Sequence, residues 1–153
     1  MAGKRWENFS IWRGRLPHWR ADNVVYYVTF RHRRDLSDEE RNRLLSNLLR
    51  PDGRKWDLII ACVLPNQTEL MFRVEEGNEL SDIVEKAKTK TGKGIVKKTG
   101  ERWPPFYEES YDRIIRDDAE FEEFWTKILE SPVDNELAEE PGEYPGLYVA
   151  NAP

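Results

Sequence analysis

Apolar and polar positions along the chain follow two different periods, and the places where the period changes mark out the elements. Residues 24–32, VVYYVTFRH, are rich in β-branched and aromatic side chains and predict a strand. Its two faces are Val24/Tyr26/Val28/Phe30 and Val25/Tyr27/Thr29/Arg31. Ser37-Asp-Glu-Glu40 is a capping box: the serine hydroxyl covers the Glu40 amide and the Glu40 side chain reaches back. Leu44, Leu45, Leu48 and Leu49 then form one helical stripe that must stop before Pro51. Asp52-Gly53 predicts a turn, residues 55–64 a mostly buried strand, and residues 69–74 its hairpin partner across Pro65-Asn66. Ser81 caps a second helix through Asp82, Ile83, Val84 and Ala87. Gly92 and Gly94 end or loosen that helix, which leaves Lys97 and Lys98 in a loop. Trp103-Pro-Pro-Phe106 is rigid and non-helical. Residues 111–116 read as a last strand, with Ile114 and Ile115 facing opposite ways. A third helix over 118–130 turns Phe121, Phe124, Trp125 and Ile128 to the core and ends at Ser131-Pro132.

The order β-α-β-β-α-β-α predicts an α+β fold. It is a ferredoxin-like split βαβ, an antiparallel sheet with its helices on one face. Three segments follow: a basic aromatic arm over 1–22, the ferredoxin-fold domain over 23–133, and an acidic, Pro/Gly-containing tail over 134–153 that is extended and turn-rich. A length of 153 residues suits one core, and 39% hydrophobic with 12% aromatic residues argues against disorder. The first residues contain no apolar stretch of the secretory type, and the longest apolar run, 58–64, is too short to cross a bilayer. Both point to a cytoplasmic protein without membrane contact. The lone Cys62 lies in that run, forms no intrachain disulfide and reads as a small core residue.

Charge changes the picture because it is unevenly placed. The net −5 hides an asymmetry, with +6 over residues 1–34, +4 over 81–102 and −11 over 103–153. Two basic segments in an acidic protein are either solvated faces or a phosphate-binding surface.

Several short runs also resemble a family. Arg15-Leu-Pro-His-Trp19, Tyr26-Tyr-Val-Thr-Phe-Arg31, Leu64-Pro-Asn66, Tyr111-Asp-Arg-Ile-Ile-Arg-Asp117 and Ser131-Pro-Val133 are similar, in order and spacing, to the REP-associated tyrosine transposases. These belong to the single-tyrosine HUH type, and the resemblance extends over residues 13–148. It implies a ferredoxin-like fold and a His–apolar–His triplet holding a divalent metal. It also implies a tyrosine on the last helix that attacks a DNA phosphate to form a 5′-phosphotyrosine, and an amide or carboxylate one turn later that completes the metal site. This chain departs at each position. Gln67 and Glu69 stand at the two histidines, Lys127 at the tyrosine and Ser131 at the amide.

Strand alternation still puts Gln67 and Glu69 on one face. The pair reads as solvent-facing on a sheet edge, with weak Mg²⁺ or Mn²⁺ binding at Glu69 as the alternative. Lys127 reads as the partner of Glu123 one turn earlier, or else as a phosphate clamp; an ammonium attracts a phosphate but does not attack it. Tyr107, Tyr111, Tyr144 and Tyr148 read as core or tail packing. The expectation is therefore a catalytically inactive relative with no cofactor. Single-stranded or hairpin DNA would be bound through Arg13, Arg15, His18, Trp19 and Arg20 of the arm, with Trp12 beside them. Arg31, Arg33, Arg34, Lys97 and Lys98 would extend that surface. A monomer is expected, and two other readings stand beside DNA binding: a domesticated scaffold that binds a protein partner, its acidic tail screening the basic surface, and a residual metal-dependent nuclease using Glu69.

Overall fold

The computed structural model describes residues 11–12, 14–17, 24–74 and 80–151. Among them the elements are β1 (Val25–Arg31), α1 (Asp38–Leu49), β2 (Trp56–Val63), β3 (Gln67–Val74), α2 (Leu80–Thr99), β4 (Tyr111–Ile114) and α3 (Asp118–Asp134). A 3-10 turn (Pro141–Glu143) and β5 (Leu147–Val149) follow. The strands form one sheet in the order β4-β1-β3-β2-β5, with every pair antiparallel. The first four strands have the split βαβ connectivity expected from the sequence. No helix among the described residues is long and apolar enough to cross a membrane.

The sheet has a core on each face. Val28, Phe30, Leu58, Leu70 and Phe72 pack under α1 and α2. Tyr27, Ile60, Met71, Phe121, Trp125 and Ile128 form the other core under α3. The expectation that the helices share one face therefore holds for α1 and α2 and fails for α3. The reason lies in β2 and β3, which are apolar on both sides and need cover on both. A bulge between Leu58 and Ile60 flips the alternation of β2. Trp56, Leu58, Ala61 and Val63 thereby reach the α1–α2 core, while Ile59, Ile60 and Cys62 reach the α3 core.

The capping box at Ser37 and Glu40 forms as the sequence predicts. Ile114 is 53% exposed and Ile115 is 2% exposed, also as the alternation requires. Two helix ends differ from expectation. α2 runs straight through Gly92 and Gly94, so Lys97 and Lys98 lie in its last turn and not in a loop. Both glycines mark close approaches: a Cβ on Gly92 would stand 2.9 Å from the Pro104 Cβ, and one on Gly94 would meet the Arg43 guanidinium. α3 continues past Pro132 to Asp134. Proline forfeits one ladder bond there, and the Ser131 and Pro132 carbonyls are taken up by Asn135 and Leu137. The tail supplies the fifth strand. The Tyr144 hydroxyl donates to the buried Val63 carbonyl (2.6 Å), and the Val63 amide donates to the Gly146 carbonyl (2.9 Å).

The two glycines of α2 should respond oppositely to alanine. Gly94→Ala displaces only a flexible arginine tip and should be neutral or stabilising by up to about 1 kcal/mol, whereas Gly92→Ala meets a proline ring and should destabilise. Urea unfolding midpoints of the two variants check this.

Candidate functional site

Three of the four positions that the resemblance singles out converge, although they are far apart in sequence. β3 is an inner strand, so Gln67 and Glu69 do not lie on a sheet edge. Glu69 is not solvent-facing either: α3 covers it and leaves it 2% exposed. Its Oε1 accepts from the Ser131 hydroxyl (2.6 Å) and its Oε2 from the Tyr27 hydroxyl (3.1 Å). The Lys127 ammonium lies 3.4 Å from that same phenol oxygen and 5.6 Å from the ring centroid. The polar contact of Lys127 is therefore with Tyr27 and not, as expected, with Glu123. Burial first, and the Glu69 carboxylate second, push the Tyr27 phenol above its ordinary range, so it stays a donor. Asp117 caps α3 and Tyr27 packs against Phe124 (4.5 Å), which sets the helix across the strand. Among the described residues no three His, Cys, Asp or Glu side chains converge as a ligand group.

Beside this cluster runs an open groove. Strand register places Arg31 opposite Gln67, and Thr29 between Glu69 and Tyr111, so these side chains share the α3 face of the sheet. A cleft of about 470 Å³ opens along β1 and β4, lined by Thr29, Arg31, Tyr107, Glu109 and Tyr111 among others. Arg33 lies 4.8 Å and Arg31 6.0 Å from the Tyr107 ring centroid, and the Arg102 guanidinium lies 5.2 Å from the Trp103 ring. Trp103 and Tyr111 are 63% and 58% exposed. The buried Lys88 holds the outer wall by donating to the Glu108 carbonyl (3.1 Å) and the Ser110 hydroxyl (3.4 Å).

The remaining basic candidates divide. Arg34 is committed to Glu40 and Glu101, and Lys98 is paired with Glu39, so neither offers a free charge. Arg31 and Arg33 are exposed, as are Lys97 and Arg15. Trp12 and Leu16 pack against the α3 core, which makes Trp12 an anchor of the arm and not a stacking platform. Arg13, His18, Trp19 and Arg20 lie outside the described residues. Tyr144 is buried as expected, with its phenol pushed up to about 12 by burial, and Tyr148 is partly buried. Tyr107 and Tyr111 are not core residues.

His32 also had no role in the sequence reading. Its Nδ1 donates to the Pro65 carbonyl (2.8 Å) and its Nε2 accepts from Thr68 (2.9 Å), which fixes the β2–β3 turn that presents Gln67 and Glu69. Burial lowers its pKa to about 4.

Solved structures share this fold. A REP-associated tyrosine transposase, solved bound to a REP hairpin, superposes with a TM-score of 0.62 at 14% identity, covering 84% of this chain and 80% of that one. A Deinococcus radiodurans R1 protein described as a transposase gives 0.53 at 12% identity, over 80% and 97%. No protein-family model and no curated protein matches the sequence.

Two outcomes follow. Glu69→Ala strands the Tyr27 hydroxyl, while Ser131 keeps the Lys127 carbonyl as an acceptor (3.0 Å), and should cost about 2 kcal/mol; Glu69→Gln, which keeps one acceptor oxygen, should cost less, and urea denaturation ranks them. For His32 the folded pKa lies below the unfolded one, so its contribution is whole above about pH 6.5 and is lost as pH falls through about 4. Near pH 5, unfolding of the wild type should take up roughly one more proton than that of His32→Gln, read from the slope of stability against pH.

Proposed function

We propose that the chain is a transposase-like protein without strand-transfer chemistry that binds single-stranded or hairpin DNA along the β1–β4 groove. The observation that carries this is the register itself: an open arginine–aromatic groove runs beside a carboxylate whose partners are already chosen. The fold is that of a protein solved with a REP hairpin, which supports nucleic acid as the partner.

The chemistry follows from the side chains. Phosphodiester cleavage by the route that the resemblance implies needs a phenol nucleophile and a divalent metal to stabilise developing charge. Lys127 stands where the phenol would be. The residues present do not fit the metal. Both Glu69 oxygens accept hydrogen bonds from hydroxyls, Gln67 brings only a neutral amide, and Lys127 adds positive charge beside the shared Tyr27 oxygen. Tyr27 cannot replace the missing nucleophile, because its phenol is buried and serves as a donor.

Binding needs less. Arg31 and Arg33 attract phosphate, and Tyr107, Tyr111 and Trp103 present ring faces on which unpaired bases stack. The described part of the acidic tail leads to the other edge of the sheet. β5 and β4 are opposite edges of the sheet, four strand spacings or roughly 19 Å apart.

A labelled hairpin with a single-stranded flank, titrated at two salt concentrations with Mn²⁺ added and omitted, tests both halves. The expected result is salt-sensitive binding, weakened about tenfold or more by Arg31→Glu with Arg33→Glu, and no denaturant-stable protein–DNA adduct. A covalent adduct would restore an active transposase. No binding at low ionic strength would instead favour a protein-binding scaffold.

A further inference from the structure

A second concave surface, on the α1–α2 face, shares no lining residue with the β1–β4 groove. It is a cavity of about 250 Å³. Arg50, Arg54, Lys55, Lys86 and Lys90 line it, against one acid, Asp82, among the described lining residues. Its floor is apolar, formed by Pro51 with the buried Ile83 and Ala87.

The sequence builds this cavity locally. Pro51 stops α1, and the chain reverses through Gly53, whose φ of +77° lies in the left-handed region. The amides of Arg54 and Lys55 both donate to the Pro51 carbonyl, which curls these two residues back toward α2. Arg54 also donates to the Arg50 carbonyl at the open end of α1 (3.1 Å). Lys86 and Lys90 come from α2 at i,i+4 spacing and so share one helical face.

Several cations elsewhere, Arg34, Arg41, Lys98, Arg113 and Arg116, each have a carboxylate partner. Among the described residues none of the five cavity cations is in an ion pair. Favourable interaction with helix ends accounts for Arg50 and Arg54 near the α1 C-terminus, but not for Lys86 and Lys90, which lie mid-way along α2. A like-charged i,i+4 pair costs a helix a few tenths of a kcal/mol unless an anion lies between the charges.

We propose that this cavity binds closely spaced phosphate groups, either in the backbone of duplex nucleic acid or in a free polyphosphate. Five donors of one sign around a concave apolar floor suit several phosphate oxygens at once better than a single carboxylate. The proposal is independent of the groove, because it requires no unpaired base and no residue of β1 or β4.

Two probes separate the sources: a blunt, end-labelled DNA duplex without loop or overhang, followed by anisotropy, and inorganic tripolyphosphate, followed by calorimetry. The wild type should bind at least one. Lys86→Glu with Lys90→Glu should weaken that binding about tenfold or more, and the double logarithmic salt slope for the duplex should fall by about 2. Arg31→Glu with Arg33→Glu, whose positions do not line the cavity, should weaken either probe less than the Lys86/Lys90 charge variant does. Duplex binding without tripolyphosphate binding assigns the backbone, and tripolyphosphate binding assigns the free ligand. Lys86→Gln with Lys90→Gln, checked by circular dichroism, guards against an effect on folding. Wild-type protein that binds neither probe at low ionic strength overturns the proposal, as do charge variants that bind like the wild type. Loss of hairpin binding by the groove variant alone bears only on the groove.

Discussion

Burial of β3 on every side is the constraint on which the rest depends. Strands β1 and β2 flank it, α1 and α2 cover one face, and α3 covers the other. A polar side chain on such a strand must be hydrogen-bonded, since an unsatisfied one costs more than the bond it would make. Thr68 and Glu69 are neighbours pointing to opposite faces, and each has its own arrangement. Thr68 is bonded to His32 on the α1–α2 side, and Glu69 takes hydroxyls from Tyr27 and Ser131 on the α3 side. The carboxylate thereby couples α3 to the sheet. The buried Glu69 carboxylate is thus part of how the domain holds together.

This arrangement explains why the groove and the cluster behave differently while sharing one face. α3 packs over β2, β3 and β5 and reaches β1 and β4 at Tyr27 and Arg113, whereas Thr29, Arg31 and Tyr111 line the open cleft at the far end of those two strands. Polar groups under the helix are committed to one another. Those beyond its edge, Arg31, Arg33, Tyr107 and Tyr111, remain exposed. Phe106 is buried in the α1–α2 core while Tyr107 and Tyr111 stay exposed on the outer wall, which Lys88 ties to α2.

Much of the fold was legible in the sequence because its signals are local. The capping box at Ser37, the leucine stripe of α1, the turn at Pro65-Asn66 and the alternation of Ile114 and Ile115 each involve residues within a turn or two of one another. The misreadings share a cause. Gly92 and Gly94 look like helix breakers until Pro104 and Arg43 are placed against them, and Pro132 looks like a stop until later amides take up the last carbonyls. The second core was hidden because a bulge at Ile59 breaks the alternation from which faces are read. Lys98 and Arg34 looked like free charges because Glu39, Glu40 and Glu101 are remote or on another element.

The sequence by itself determined the kinds and order of the seven elements from β1 to α3 and the topology of four strands. It also determined the chemical types at positions 67, 69, 127 and 131, because period, caps and side-chain identity are properties of short stretches. Only the tertiary structure decided which groups meet. Ser131 lies 62 positions from Glu69, and Lys127 lies 100 from Tyr27. Whether a glutamate stands in water or under a helix depends on how those distant segments pack, and no local pattern encodes it.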